Sequence, residues 1–443
     1  MKKIVLLFFV TALLTSCELL DVKPYQSIDA DIAILTTADL ESAINGCYDA
    51  FQSSGYYGRD FIIINDLTAD NLKWTGTTTD FKQFQENTLT SNNTIVEGIW
   101  TSIYVAINRI NIVLGKIDGV IGLSETDKNS YKGELLFLRG LAYFDLVKLF
   151  GGVPLRLQPA VNPSDVHLGR SSIEEVYMQI ISDLRNAELW LGNFSTPVKA
   201  HKFAAKAMLS RVYLYRFSFS NQTSDLDSAI YYSTSVISQF QLDQFANLFP
   251  ANRSTESIFE VDFNLQDFNR LAQYMGPISL GGRKEVSPID NFEDIFQTED
   301  VRKAVTIKTA SDGKYCGKYL DISGGSDNVY VLRLAEMYLI RAEASNLLNL
   351  GASVVLPDIE MLRTRAGITN PLTESTQSQL ALVIEEERRR ELAFEGHRWP
   401  DIVRTNRAIV LKTSIISTSQ YLFPIPLSEM LTNNLIGSQN TGY

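Results

Sequence analysis

Cys17 is the residue whose chemistry this sequence spells out most fully. Lys2 and Lys3 precede an apolar run from Ile4 to Leu14, too short to span a bilayer, and Leu14-Thr15-Ser16-Cys17 closes it. A basic pair, a short apolar stretch and small residues ahead of a cysteine make the pattern that export machinery cleaves at the cysteine amine. The thiol then takes acyl chains. Each buried methylene contributes about 0.8 kcal/mol, so two or three chains hold a soluble domain durably at a membrane. Residues 1–16 are therefore read as a lipoprotein signal peptide and Cys17 as the lipidation site.

Other residue types that could carry chemistry do not converge. His167, His201 and His397 lack the i,i+4 spacing that sets two metal ligands on one helix face, and no Cys-x-x-Cys occurs, so no metal site and no cofactor is expected. No phosphate-cradling Gly-x-x-x-x-Gly-Lys and no Gly-x-Ser-x-Gly elbow appears. Glycoside hydrolysis needs only two carboxylates at a spatial separation, which 51 acidic residues leave open. The densest charge run, Glu385 to Glu395, reads as structure. Glu385 with Arg389 and Glu386 with Arg390 stand at i,i+4 in the favourable order, and Gly396 can close the helix in a left-handed turn.

Composition sets the remaining bounds. Cleavage removes Lys2 and Lys3 from the 40 basic residues, leaving 38 against 51 acidic, a formal net of −13. Such a field repels phosphate backbones, and no sustained Lys/Arg run overrides it, so nucleic acid is not an expected partner. About 425 residues with 45% apolar content can bury a large core. Cys47 and Cys316 are too few for a disulfide framework and are expected as free thiols.

Helical periodicity dominates the elements that must position any site. In Tyr131 to Phe150 the apolar positions Leu135, Leu138, Ala142, Leu146 and Leu149 step by three and four, predicting one buried face before Gly151-Gly152 ends the helix. Ser171 and Ser172 stand three residues ahead of Glu174 and Glu175, a capping-box pattern opening a helix to about Trp190. Further helices are predicted at about 40–51, 95–116, 201–217, 226–238, 332–350, 357–366 and 379–395. They come in pairs, which suggests stacked hairpins of the tetratricopeptide kind. Two stretches break the pattern. Residues 65–93 are rich in Thr, Asp and Asn, and 239–329 mix glycine, aromatics and short β-like runs such as Ser257 to Val261. Both read as long excursions, the usual carriers of function.

Several segments together resemble the SusD/RagB family of outer-membrane nutrient-binding lipoproteins. They are Cys17 with its signal, Phe137-Leu138-Arg139-Gly140 through Phe150-Gly151-Gly152-Val153-Pro154-Leu155, Val331 to Ala344, Glu387 to Asp401, Leu422-Phe423-Pro424-Ile425-Pro426, and Gln439 to Tyr443. The resemblance implies a mostly α-helical SusD-like fold, with tetratricopeptide-like hairpins carrying long irregular loops and short β excursions. It implies one domain over 17–443, with helical hairpins in 17–238 and 330–443 and a variable ligand-facing excursion in 239–329. It also implies a binding protein, not an enzyme, lipid-anchored at the outer membrane and facing the cell exterior. Such a protein would bind an oligosaccharide and deliver it to a SusC-like TonB-dependent barrel. A peptide-binding member of the same scaffold and a surface glycoside hydrolase are the alternatives.

A sugar presents flat C–H patches and a rim of hydroxyls, so its site needs aromatic planes beside Asn, Asp or Arg. Asp66 to Trp74 holds that mixture, and so do Asp262, Phe263, Phe268, Asn269, Arg270, Tyr274 and Arg283. From these stretches Asp66, Asn71, Trp74, Phe263, Tyr274 and Arg283 are the expected ligand contacts.

Overall fold

The computed structural model describes residues 34–443 apart from 161–164, 166 and 252, so Cys17 and the signal segment lie outside the described residues. Helices make most of it: α1 Thr37–Asp49, α2 Asp60–Leu67, α3 Thr79–Glu86, α4 Thr94–Lys116, α5 Glu125–Phe150, α6 Ile173–Trp190, α7 Lys202–Ser220, α8 Thr223–Ile237, α9 Leu334–Leu347, α10 Ala352–Arg365, α11 Gln377–Leu392 and α12 Arg398–Arg404. Local signals set their ends. Ser172 accepts from the Glu175 amide while Glu175 reaches back to the Ser172 amide, so the second of the two candidate serines caps α6.

Helices α4 to α8 pack in order, each on the next, and α9 then packs on α8 as though it followed directly, with α10 and α11 on α9. The roughly 100 residues between α8 and α9 are thus inserted between adjacent layers of one helical stack. Strand β2 (Ser257–Val261) pairs antiparallel with β4 (Val329–Arg333) and pins the root of this insertion. The β4 strand corrects the expectation of a helix from 332. Val329 to Leu332 is apolar and has a partner strand waiting, so helix α9 begins only at Leu334. Helix α10 likewise begins at Ala352, five residues early, with Pro357 inside at the cost of one backbone hydrogen bond.

Helix α5 corrects a second expectation. Almost every residue from Gly133 to Phe150 is buried, because α1, α4, α6 and α7 pack around it, so its one-face periodicity understates its burial. Gly140 permits a close approach: a Cβ there would stand 3.0 Å from Leu184 Cγ on α6. Arg139, beside it, donates to Asp183 at 2.7 and 2.8 Å across the same interface. Cys47 and Cys316 are both free and buried.

Helix α11 holds the largest departure from a surface reading. Of its anticipated i,i+4 pairs, Glu386 with Arg390 forms, at 2.7 Å. Glu385 instead meets Arg398 and Arg407, and Arg389 reaches Asp70 and Asn71. Glu391, with no exposed side-chain surface, takes Arg302, Arg333 and Arg365 at 3.0, 2.5 and 2.5 Å. Arg333 also binds Glu256 and Glu395, Lys318 binds Glu395, and Arg302 binds Asp300 and Glu387. Periodicity could show the charges, but not that the helix face bearing them turns into the core.

Candidate functional site

The two polar stretches singled out by composition meet through a short sheet. Strand β1 (Leu72–Trp74) pairs antiparallel with β3 (Val286–Pro288), setting Trp74 opposite Val286. The first stretch is more structured than expected. Every residue of α2 is buried, and α3 buries Phe81 and Phe84 within what reads as a polar loop.

Burial removes Asp66 and Asn71 from the expected ligand contacts. Asp66 accepts from Asn71 Nδ2 at 2.6 Å and from the Phe394 and Gly396 amides at 3.1 Å each. Its carboxylate therefore ties α2 to the turn after α11, where Gly396 stands at φ +80°. Burial is the main cause that pushes the Asp66 carboxyl up, to about 6, against those hydrogen bonds. Asn71 Oδ1 accepts from Arg389 Nε at 2.8 Å. Phe263 is removed as well: the ring is buried, and its amide donates to Asn328 Oδ1 at 2.8 Å.

Tyr274 is corrected for a different reason. Two guanidinium carbons stand over its ring, Arg59 at 4.5 Å and Arg283 at 4.7 Å, and Arg59 Nη1 donates to its hydroxyl at 2.8 Å. A ring so covered offers no plane to a ligand. Arg283 itself stays half-exposed and reaches Glu285 at 3.1 Å. Burial raises the Glu285 carboxyl, and the Thr78 and Thr77 amides with Arg283 more than reverse that, leaving it below its ordinary value. Trp74 is half-buried against the core, with the Lys82 ammonium 5.7 Å from its ring and its Nε1 buried without a partner. Tyr274→Phe should cost about 1 kcal/mol of stability through the lost Arg59 hydrogen bond and leave ligand affinity unchanged. Urea denaturation and calorimetry on the same variant check both halves.

The ring that stays available is Phe268, 45% exposed, in the second stretch. It borders a groove of about 370 Å³ between the insertion, the end of α1 and the middle of α4. Arg270 stands 4.9 Å from the Phe268 ring centre. Opposite, Asp49 and Arg109 pair at 2.7 Å, both half-exposed, and the Ser53 and Ser102 hydroxyls meet at 2.9 Å. Gln52 Nε2 donates to the Asp262 carbonyl at 2.6 Å and fastens the loop to the scaffold. An exposed aromatic ring beside carboxylate, guanidinium and hydroxyl groups can stack a pyranose and bond its rim. Asp49, Ser102 and Arg109 fall on predicted helices and Gln52 just past the end of one, where nothing in the local sequence marks a site. Phe268 did carry a signal, a lone ring within Asn-Leu-Gln-Asp-Phe-Asn-Arg, whereas Tyr274 sits between Leu-Ala-Gln and Met.

A family profile described as "SusD-like_3: Starch-binding associating with outer membrane" matches residues 18–214, and the "SusD family" profile matches residues 301–412. SusD-like protein P2 of Formosa agariphila is 28% identical, aligned over 100% of both chains. Among solved structures, a SusD superfamily protein from Parabacteroides distasonis superposes with a TM-score of 0.82, at 24% identity, covering 91% of this chain and 99% of that one. A laminarin-binding SusD-like protein superposes with a TM-score of 0.81, at 23% identity, covering 92% of this chain and 100% of that one.

Proposed function

Since the chain belongs to the SusD/RagB family, we propose that it is a surface lipoprotein that binds an oligosaccharide in the Phe268 groove and passes it to a SusC-like TonB-dependent barrel. The observation that carries the ligand class is the groove itself: an exposed ring set against Asp49, Arg109 and Ser102. The family description and the laminarin-binding relative support a glycan, and they support display at the outer membrane. Among the described residues no helix is long and apolar enough to cross a membrane, and the anchor we assign is Cys17. The protein acts by binding, without a catalytic step, and the Asp49 and Asp267 carboxylates lining the groove serve as hydrogen-bond acceptors.

Calorimetry of the chain beginning after Cys17, titrated with laminarin oligosaccharides and with a mixed oligopeptide, tests the ligand class. Saturable binding of the glucan alone is expected, and saturable binding of the peptide alone would replace this reading with the peptide-importing alternative. Release of reducing ends would instead mark an enzyme. The anchor is tested separately: Cys17→Ala should abolish labelling by a fatty-acid probe and shift the protein from the membrane to the soluble fraction. Full membrane retention of the unlabelled variant would remove the lipid assignment.

A further inference from the structure

A second cavity, of about 350 Å³, lies away from the Phe268 groove, between the C-terminal end of α7, the end of α9, and helices α11 and α12. Its volume is that of a small-molecule site, which typically spans about 300–1,000 Å³. Its walls differ in chemistry: Leu214 and Phe217 give it an apolar side, and Arg388, Arg389, Arg398, Arg404 and Arg407 line it together with Glu343, Glu385 and Asp401. Adding Asp70, which takes Arg389 and Arg398 from behind, four carboxylates face five guanidinium groups. The Lys412 ammonium next to them donates to the Ala69 and Gln85 carbonyls at 2.7 and 3.1 Å. Burial, and after it Arg211, keep the His397 imidazole well below its usual range, so it contributes no charge. Positive charge is therefore in excess around this cavity, inside a chain of net charge −11.

One donor in the lining is unspent. Arg388 is 4% exposed; its Nε and Nη2 reach Asp401 at 3.0–3.1 Å, and its Nη1 has no hydrogen-bond partner. Buried guanidinium donors are rarely left unpaired, since the desolvation they suffer is then uncompensated. An anionic oxygen entering the cavity would supply the missing acceptor, and a planar fork suits carboxylate and sulfate oxygens alike.

We propose that this cavity is a subsite for an acidic sugar, whose carboxylate or sulfate ester meets the arginines while its ring lies against Leu214 and Phe217. The inference rests on the glycan-binding reading only in taking a sugar as the carrier of the anion. Leu382, in the lining and 48% exposed, marks the rim and takes no part in the ion pairs, so substitutions there spare the fold.

The test titrates glucuronate, glucose 6-sulfate, glucose and inorganic sulfate into the chain beginning after Cys17 at low ionic strength. At least one of the two acidic sugars should bind about tenfold or more tighter than glucose and inorganic sulfate, and which one does identifies the anion. Leu382→Glu should weaken that binding about tenfold through like charge at the rim, with Leu382→Gln close to wild type and laminarin affinity unchanged. Equal binding of glucose and both acidic sugars, equal binding of inorganic sulfate, or an unaltered Leu382→Glu would each overturn the proposal. Loss of laminarin binding in the wild-type protein would instead count against the Phe268 groove, so the two readings fail separately.

Discussion

Glu391→Gln should destabilise the protein by about 3–5 kcal/mol, the range for removing one charge from a buried ion network. Glutamine keeps the shape but leaves Arg302, Arg333 and Arg365 facing a neutral group in a site from which water is excluded. Their remaining carboxylates are already committed: Glu256 is shared by Arg333 and Arg365, Glu395 by Arg333 and Lys318, and Glu387 by Arg302 and Arg390. Glu386→Gln on the outer face of the same helix supplies the contrast. Glu386 is 65% exposed in its pair with Arg390, so its loss should cost no more than about 0.5 kcal/mol. Guanidinium denaturation of the three proteins decides it, and equal midpoints would show that the network is not a stabilising clamp.

The same variant carries a pH signature. Burial raises the Glu391 carboxyl, but Arg365, Arg333 and Arg302 more than reverse this and hold it well below its ordinary value of 4.5. A depressed folded-state pKa gives stability that is present above the unfolded value and lost as pH falls through the folded one. The gap between wild type and Glu391→Gln should therefore be widest at neutral pH and narrow as the pH falls below about 4.5. A gap that stayed constant on acidification would mean that the loss comes from packing and not from charge.

Phe268→Ala should weaken glucan binding by about 1–3 kcal/mol, roughly 5-fold to 150-fold, because a ring platform supplies dispersion contact and orientation together. Stability should change little, since 45% of the ring already faces solvent. Affinity and folding thus separate at this position, in the opposite sense to Glu391→Gln. Arg270, 4.9 Å from the ring centre, and the Asp49–Arg109 pair across the groove should keep their places in the variant, because backbone hydrogen bonds hold the loop: the Arg270 amide donates to the Gly58 carbonyl at 2.8 Å. Calorimetry against laminarin oligosaccharides gives the affinity, and wild-type binding by a folded Phe268→Ala would move the site off this groove.

The sequence alone determined the helical scaffold, because helix formation is local. Apolar spacing, the Ser172–Glu175 box and Gly151 lie within a few residues of the boundaries they set, and those boundaries stand within a few residues of where periodicity put them. Strand Ser257–Val261 was legible for the same reason. Which side chains face solvent is not local, and there the tertiary structure decided. Asp66, Asn71, Phe263 and Tyr274 have the right types for a ligand surface. Yet partners 330 residues away at Gly396, 65 away at Asn328 and 215 away at Arg59 take their polar atoms and cover the Tyr274 ring. The acidic and basic residues of α11 show the same division. Their i,i+4 spacing would suit a solvated face, but Arg302, Arg333 and Arg365, brought in from three other segments, make that face the interior. The Phe268 groove needed the fold most of all, since its ring and its polar rim come from segments more than 150 residues apart and meet only once the insertion lies against α1 and α4.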